Sequence, residues 1–139
     1  MNGLDHAQLL MRLAHADHRA MTGMGDPEVF TDAIFGFHAQ QAVEKGVKAW
    51  LAALDVLFPL THDISRLLPL LGNRGVEVGK LWEWVELTPF AVEHRYAWVA
   101  DAEEPLDRAD MIDRVNKLLN HIEGEIQKLG PVAGEDAAT

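Results

Sequence analysis

His38, Gln41, Glu44, Lys45 and Lys48 stand close together in FHAQQAVEKGVKAW, residues 37–50. Their types suit the binding of a charged ligand. Lysine ammonium groups meet phosphate as point charges, and a glutamine amide can read a base edge with donor and acceptor together. On a helix, positions 38, 41, 45 and 48 share a face, with 44 beside them. An ordinary solvated face has the same look. Glu44 and Lys48 form an i,i+4 pair in the favourable orientation, worth roughly 0.3–0.5 kcal/mol when exposed. These residues therefore allow either a wet surface or a polar seam that holds a small charged molecule or a partner.

Other chemistries find less material. The chain has no cysteine, which removes disulfides, thiolate metal sites and cysteine nucleophiles. Ser65 is the only serine and does not sit in a Gly-x-Ser-x-Gly turn. There is no Gly-x-x-x-x-Gly-Lys phosphate loop and no dinucleotide fingerprint. His15 and His18, with Asp17 between them, have the i,i+3 spacing of two ligands on one helix face, and His38, His94 or His121 would have to supply a third. One such pair among seven histidines is unremarkable, so no metal and no cofactor are expected.

The elements that must position these groups are all helical; no stretch alternates strictly in twos. A first helix is expected over about 4–22, with Leu4, Ala7, Leu10, Met11, Ala14 and Met21 on its apolar stripe. Thr22-Gly23-Met24-Gly25-Asp26-Pro27 ends it, and Asp26-Pro27 reads as the start signal of the next. The second helix is expected over about 28–57, burying Ile34, Ala39, Ala42, Val43, Gly46, Val47, Trp50, Leu51, Leu54 and Leu57. Gly46 costs a helix about 1 kcal/mol against alanine, so a neighbouring helix should approach closely there. Thr61 opens a short helix, THDISRLLPLLGN, with Asp63 in its first turn, bent at Pro69. A fourth helix begins near Val76 and kinks or restarts at Thr88-Pro89. Residues 101–107 form an acidic loop. A last helix over about 107–128 carries Ala109, Ile112, Val115, Leu118, Leu119, Ile122 and Ile126.

The expected fold is all-α, an antiparallel up-and-down bundle of four main helices plus one short helix. It fills a single domain over 1–139, with an ordered core over about 4–129 and a frayed tail over 130–139. Twenty-two acids against twelve bases give a formal net charge of −10, which repels nucleic acid at long range unless a local basic site or a basic partner intervenes. No apolar run reaches membrane-span length, and MNGLDHAQLL lacks a charged leader, so a cytoplasmic setting is expected.

Three strings taken in order resemble a known family. They are Gln-Gln-Ala-x-Glu-Lys-x-x-Lys-Ala at 40–49, Thr-His-Asp-x-x-x-Leu-Leu at 61–68, and Arg95-Tyr96. Their order and spacing are similar to those of the HEPN domain family (higher eukaryotes and prokaryotes nucleotide-binding), over roughly residues 5 to 127. Where the family usually has proline after Arg-Tyr, this chain has Ala97. The resemblance implies a helical domain that binds a nucleotide or partners a small nucleotidyltransferase, commonly as a homodimer. It makes His38, Gln41, Glu44, Lys45, Lys48, His62, Asp63, Arg95 and Tyr96 the candidate ligand-binding residues, with Arg95 as a phosphate fork and Tyr96 as a stacking ring. The same groups could instead lock the short helix to the long one through buried hydrogen bonds.

Family members that are ribonuclease toxins carry an arginine and a histidine with a short spacer. Arg12…His18 and Arg114…His121 have that spacing, about what chance supplies. Arg114 and His121, seven apart, share a helix face and are the catalytic candidates if the chain is an endoribonuclease. A ligand-free structural adaptor is the third reading. The aromatics Trp82, Trp84, Phe90, Tyr96 and Trp98 are expected in the core or on a self-association surface.

Overall fold

A computed structural model describes residues 2–93 and 106–129. Helices make up 75% of it, and among the described residues there is no strand. The elements are α1 (Gly3–Thr22), α2 (Asp32–Ala53), α3 (Ile64–Gly72), a 3₁₀ helix (Gly79–Leu87), α4 (Thr88–Glu93) and α5 (Arg108–Leu129). No helix among the described residues is long and apolar enough to cross a membrane.

α2 is the axis of the bundle. It packs against α1, α3, α4, α5 and the 3₁₀ helix, so it is buried nearly all round, unlike the one-sided stripe of a surface helix. Around it Ala7, Met11, Ala14 and Met21 of α1, Ile64, Leu67, Leu68 and Leu71 of α3, and Val115, Leu119 and Ile122 of α5 complete one core. Gly46 does what its cost predicts. A Cβ there would lie 2.9 Å from Leu119 Cδ2 and 3.3 Å from Ile122 Cδ1, so its absence is what brings α5 onto α2.

Several boundaries differ from the sequence expectation. Asp26-Pro27 starts only a single turn, in which the Asp26 carboxylate accepts the Glu28 N–H. α2 begins later, capped by Thr31, whose hydroxyl accepts the Ile34 N–H at 3.3 Å. It also ends earlier, at Ala53, where Asp55 takes a left-handed φ of 60°. Leu57 consequently leaves the helix and is 94% exposed, while Ile34, in the first turn, is 42% exposed; both were expected in the core. Ala109 is likewise exposed at the start of α5. Thr61 does not cap α3; Asp63 does.

The expected fourth helix divides. Its first part is 3₁₀, and the buried residues Leu81, Trp84 and Leu87 recur at three-residue steps, matching three residues per turn. α4 restarts at Thr88-Pro89, where proline fits a first helical position because it has no N–H to satisfy. The later part of that region, with His94, Arg95, Tyr96, Ala97 and Trp98, lies outside the described residues, as do most of the acidic loop and the tail expected to fray.

Candidate functional site

The polar residues of α2 do not form one seam. They part in two directions, each gathered by a carboxylate. Glu44 collects the first group. Its side chain is only 4% exposed. It accepts Gln40 Nε2–H at 2.9 Å, Gln41 Nε2–H at 3.4 Å and Lys48 Nζ–H at 2.7 Å, and His62 Nδ1 lies 3.1 Å away. Gln41 also donates to Gln40 Oε1 at 2.8 Å. Lys48 then lies 5.8 Å from the Phe58 ring centre, so cation, carboxylate and the segment after α2 are drawn together.

Asp17 of α1 collects the second group. Lys45 Nζ donates to Oδ2 at 2.7 Å, and His38 Nδ1 lies 2.9 Å from Oδ1. Positions 38 and 45 are two turns apart on α2, so one aspartate on the neighbouring helix meets both. A carboxylate taken out of water must be neutralised and hydrogen-bonded. Each of these two has one ammonium and one imidazole against it.

The segment before α3 is fixed to this junction by local chemistry. The His62 carbonyl accepts Gln40 Nε2–H at 3.0 Å while its ring meets Glu44. Thr61 Oγ1 accepts the Asp63 N–H, and Asp63 Oδ1 accepts both the Ser65 N–H and the Ser65 hydroxyl, which starts α3. The structure therefore gathers Gln41, Lys48 and His62 on Glu44, and His38 and Lys45 on Asp17, as two clusters along the middle of α2. It gives Asp63 a capping role beside them. Arg95 and Tyr96 lie outside the described residues.

Two partners are not legible from helix periodicity. Gln40, fully buried, is the link between Glu44 and the His62 backbone; its position one turn before Glu44 was the available signal. Asp17 had no signal, because its partners are 21 and 28 residues away. Arg108 was missed as well. Its guanidinium donates to Met24 O, Phe30 O and Asp32 Oδ1 at 2.7–2.8 Å and lies 5.0 Å from the Phe35 ring centre. It pins the start of α5 to the α1–α2 connection.

Arg114 and His121 do line a common groove, of about 570 Å³, between the 3₁₀ helix and α5. Arg114 pairs with Glu83 at 2.7 Å and Asp110 at 3.7 Å, with its guanidinium 4.8 Å from the Trp84 ring centre. His121 is exposed and meets Trp50 edge-on at 5.8 Å. The other spaced pair is split. Arg12 borders a cavity with His15 and Glu123, while His18 Nε2 lies 3.1 Å from the Ile112 carbonyl. His15 turns to Glu123 at 2.9 Å, so His15 and His18 do not converge. Among the described residues no group of three His, Cys, Asp or Glu is placed to hold a metal ion.

The HEPN domain family model matches residues 9–125, from α1 into α5. Neither the curated proteins nor the solved structures give a significant match. The family match covers most of the chain and takes in α2, whose Gln-Gln-Ala-x-Glu-Lys string builds both carboxylate clusters, and the chain belongs to the HEPN domain family.

Proposed function

We propose that this chain is a HEPN subunit that binds a nucleotide, or docks on a small nucleotidyltransferase that handles one, and that it does no chemistry alone. The observation that carries this reading is the pair of ammonium groups at the junction. Lys45 and Lys48 each give one N–H to a carboxylate at 2.7 Å. An ammonium has three donors, so each has capacity beyond that bond for a phosphate oxygen. Both long side chains are already held in position, with His38 and His62 flanking them, which lowers the ordering cost of binding a phosphate. The subunit is expected to work as a homodimer, as the family commonly does.

Calorimetric titration with ATP, GTP and a short RNA tests the proposal. Binding of at least one of them, weakened about tenfold or more by Lys45→Met with Lys48→Met in a chain that still melts cooperatively, supports it. No binding to any of the three, with no partner copurifying from the native host, overturns it.

A structural adaptor is the second reading, favoured by the burial of Glu44 and the mutual neutralisation of the two clusters. Under it the same double variant lowers the melting temperature and leaves every binding isotherm unchanged. The endoribonuclease reading is weaker, because Arg114 is shared between two carboxylates and stacked on Trp84. RNA cleavage that disappears in both Arg114→Ala and His121→Ala would restore it.

A further inference from the structure

A cavity of about 460 Å³ opens between the first half of α1 and the second half of α5, and it shares no residue with the junction. Positions 4, 8, 11, 12 and 15 of α1 stand on one helix face, and positions 123, 126 and 127 of α5 line the opposite wall. Leu4, Met11 and Ile126 make an apolar floor. Met11 and Ile126 are buried, and Leu4 packs against the same core. The volume lies within the roughly 300–1,000 Å³ of sites that hold small molecules.

The polar groups around this floor differ in what they already hold. Glu123 is taken, since His15 Nε2 lies 2.9 Å from its Oε1. Arg12 is not. No acid stands three or four residues from it on either side, where Gln8, Leu9, His15 and Ala16 are found, so α1 itself offers it no ion pair. Among the described residues no carboxylate of another element reaches it either, whereas Arg108 and Arg114 are both paired. Gln8 and Gln127 likewise make no side-chain hydrogen bond among the described residues. A guanidinium with its donor fork open, at the edge of an apolar floor, fits a carboxylate that carries a hydrophobic body.

The single cation also sets the charge of the ligand. A second negative charge would lie near Glu123 with no further cation to meet it, so a monocarboxylate is matched and a dianionic phosphate is not. Met11 adds a flexible, polarizable thioether, which adapts to an apolar body of varied shape.

We propose that this cavity binds a small monocarboxylate with an apolar body. Its carboxylate lies bidentate on Arg12, its body covers Leu4, Met11 and Ile126, and the Gln8 and Gln127 amides donate beside it. The bound molecule touches both α1 and α5 and ties them together.

NMR of isotope-labelled methionine methyl groups in the full chain tests this, because Met11 alone of the five methionines lines the cavity. The probes are octanoate, octanol, acetate and AMP. The expected result is that octanoate shifts the Met11 methyl signal at millimolar or lower concentration and raises the melting temperature. Octanol and acetate, each with half of the match, should bind about tenfold or more weakly, and AMP should leave Met11 unmoved. Arg12→Gln should weaken octanoate about tenfold or more, and Gln8→Trp, which fills the cavity, should abolish its binding. Both positions are exposed, so the fold should survive either change. Lys45→Met with Lys48→Met should leave octanoate binding unchanged, which separates failure here from failure at the junction. No Met11 response to octanoate, equal affinity for octanol, or binding indifferent to Arg12→Gln overturns the proposal. An AMP response at Met11 that competes with octanoate overturns it too, because the cavity would then be a nucleotide site.

Discussion

Glu44 and His62 meet across the connection between α2 and α3. The imidazole Nδ1 lies 3.1 Å from the carboxylate, and the His62 carbonyl accepts the Gln40 amide of the same helix turn. One residue of the connection is therefore held through both its ring and its backbone. That attachment delivers Asp63 to the start of α3, where it caps the helix.

The Glu44 carboxylate should then be among the most expensive groups to remove. Glu44→Ala strips the buried acceptor from Gln40 and Lys48 and should cost about 3–5 kcal/mol. Glu44→Gln keeps an acceptor oxygen and the shape, and should cost less. Urea denaturation of the two variants checks the order; an alanine variant as stable as the parent would remove Glu44 from its place as the hub.

Arg108 offers a parallel case at the start of α5. Three acceptors surround its guanidinium: two carbonyls of the α1–α2 connection and Asp32. Lysine keeps the charge but lacks the planar fork, so Arg108→Lys should be destabilised nearly as much as Arg108→Ala, by about 2–4 kcal/mol. Thermal melting of the pair decides this; full rescue by lysine would mean that charge alone matters here.

Two glycines of α2 should respond differently to a methyl group. At Gly36 a Cβ would press into the Phe90 ring, with Cε1 and Cγ only 2.6 Å away, and a rigid ring on α4 cannot bend aside. Gly36→Ala should cost about 1–3 kcal/mol. At Gly46 the obstacles are the ends of Leu119 and Ile122, which can rotate, and alanine regains about 1 kcal/mol of helix propensity. Gly46→Ala should therefore sit within about 1 kcal/mol of the parent in the same denaturation series.

Leu57 and Leu60 should be silent in stability despite their size. They are 94% and 101% exposed, on the segment after the left-handed Asp55. Leu57→Ser and Leu60→Ser should each change stability by less than about 0.5 kcal/mol, as surface substitutions do. A loss of several degrees in melting temperature would mean that this segment packs inward in solution.

The local levels of this protein were legible in its residues. Period 3.6 marked α1 and α5 to within a residue or two, and the Thr88-Pro89 pair marked the restart at α4. Gly46 announced a close helix neighbour, because only contact offsets its propensity cost. The motif strings also fell on the α2 residues that bond to Glu44 and Asp17. Periodicity, however, measures only which residues lie on one side of a helix, and it read His38, Gln41, Lys45 and Lys48 as a single flank. Packing divided them, because Asp17 on α1 draws His38 and Lys45 while Glu44 draws Gln40, Gln41, Lys48 and His62. Ile34 and Leu57 went outward for a similar reason: an apolar residue is buried only if another element arrives to cover it. Which carboxylate neutralises which cation, and which helix covers which face, depend on contacts between segments distant in sequence, and those were decided only by the tertiary structure.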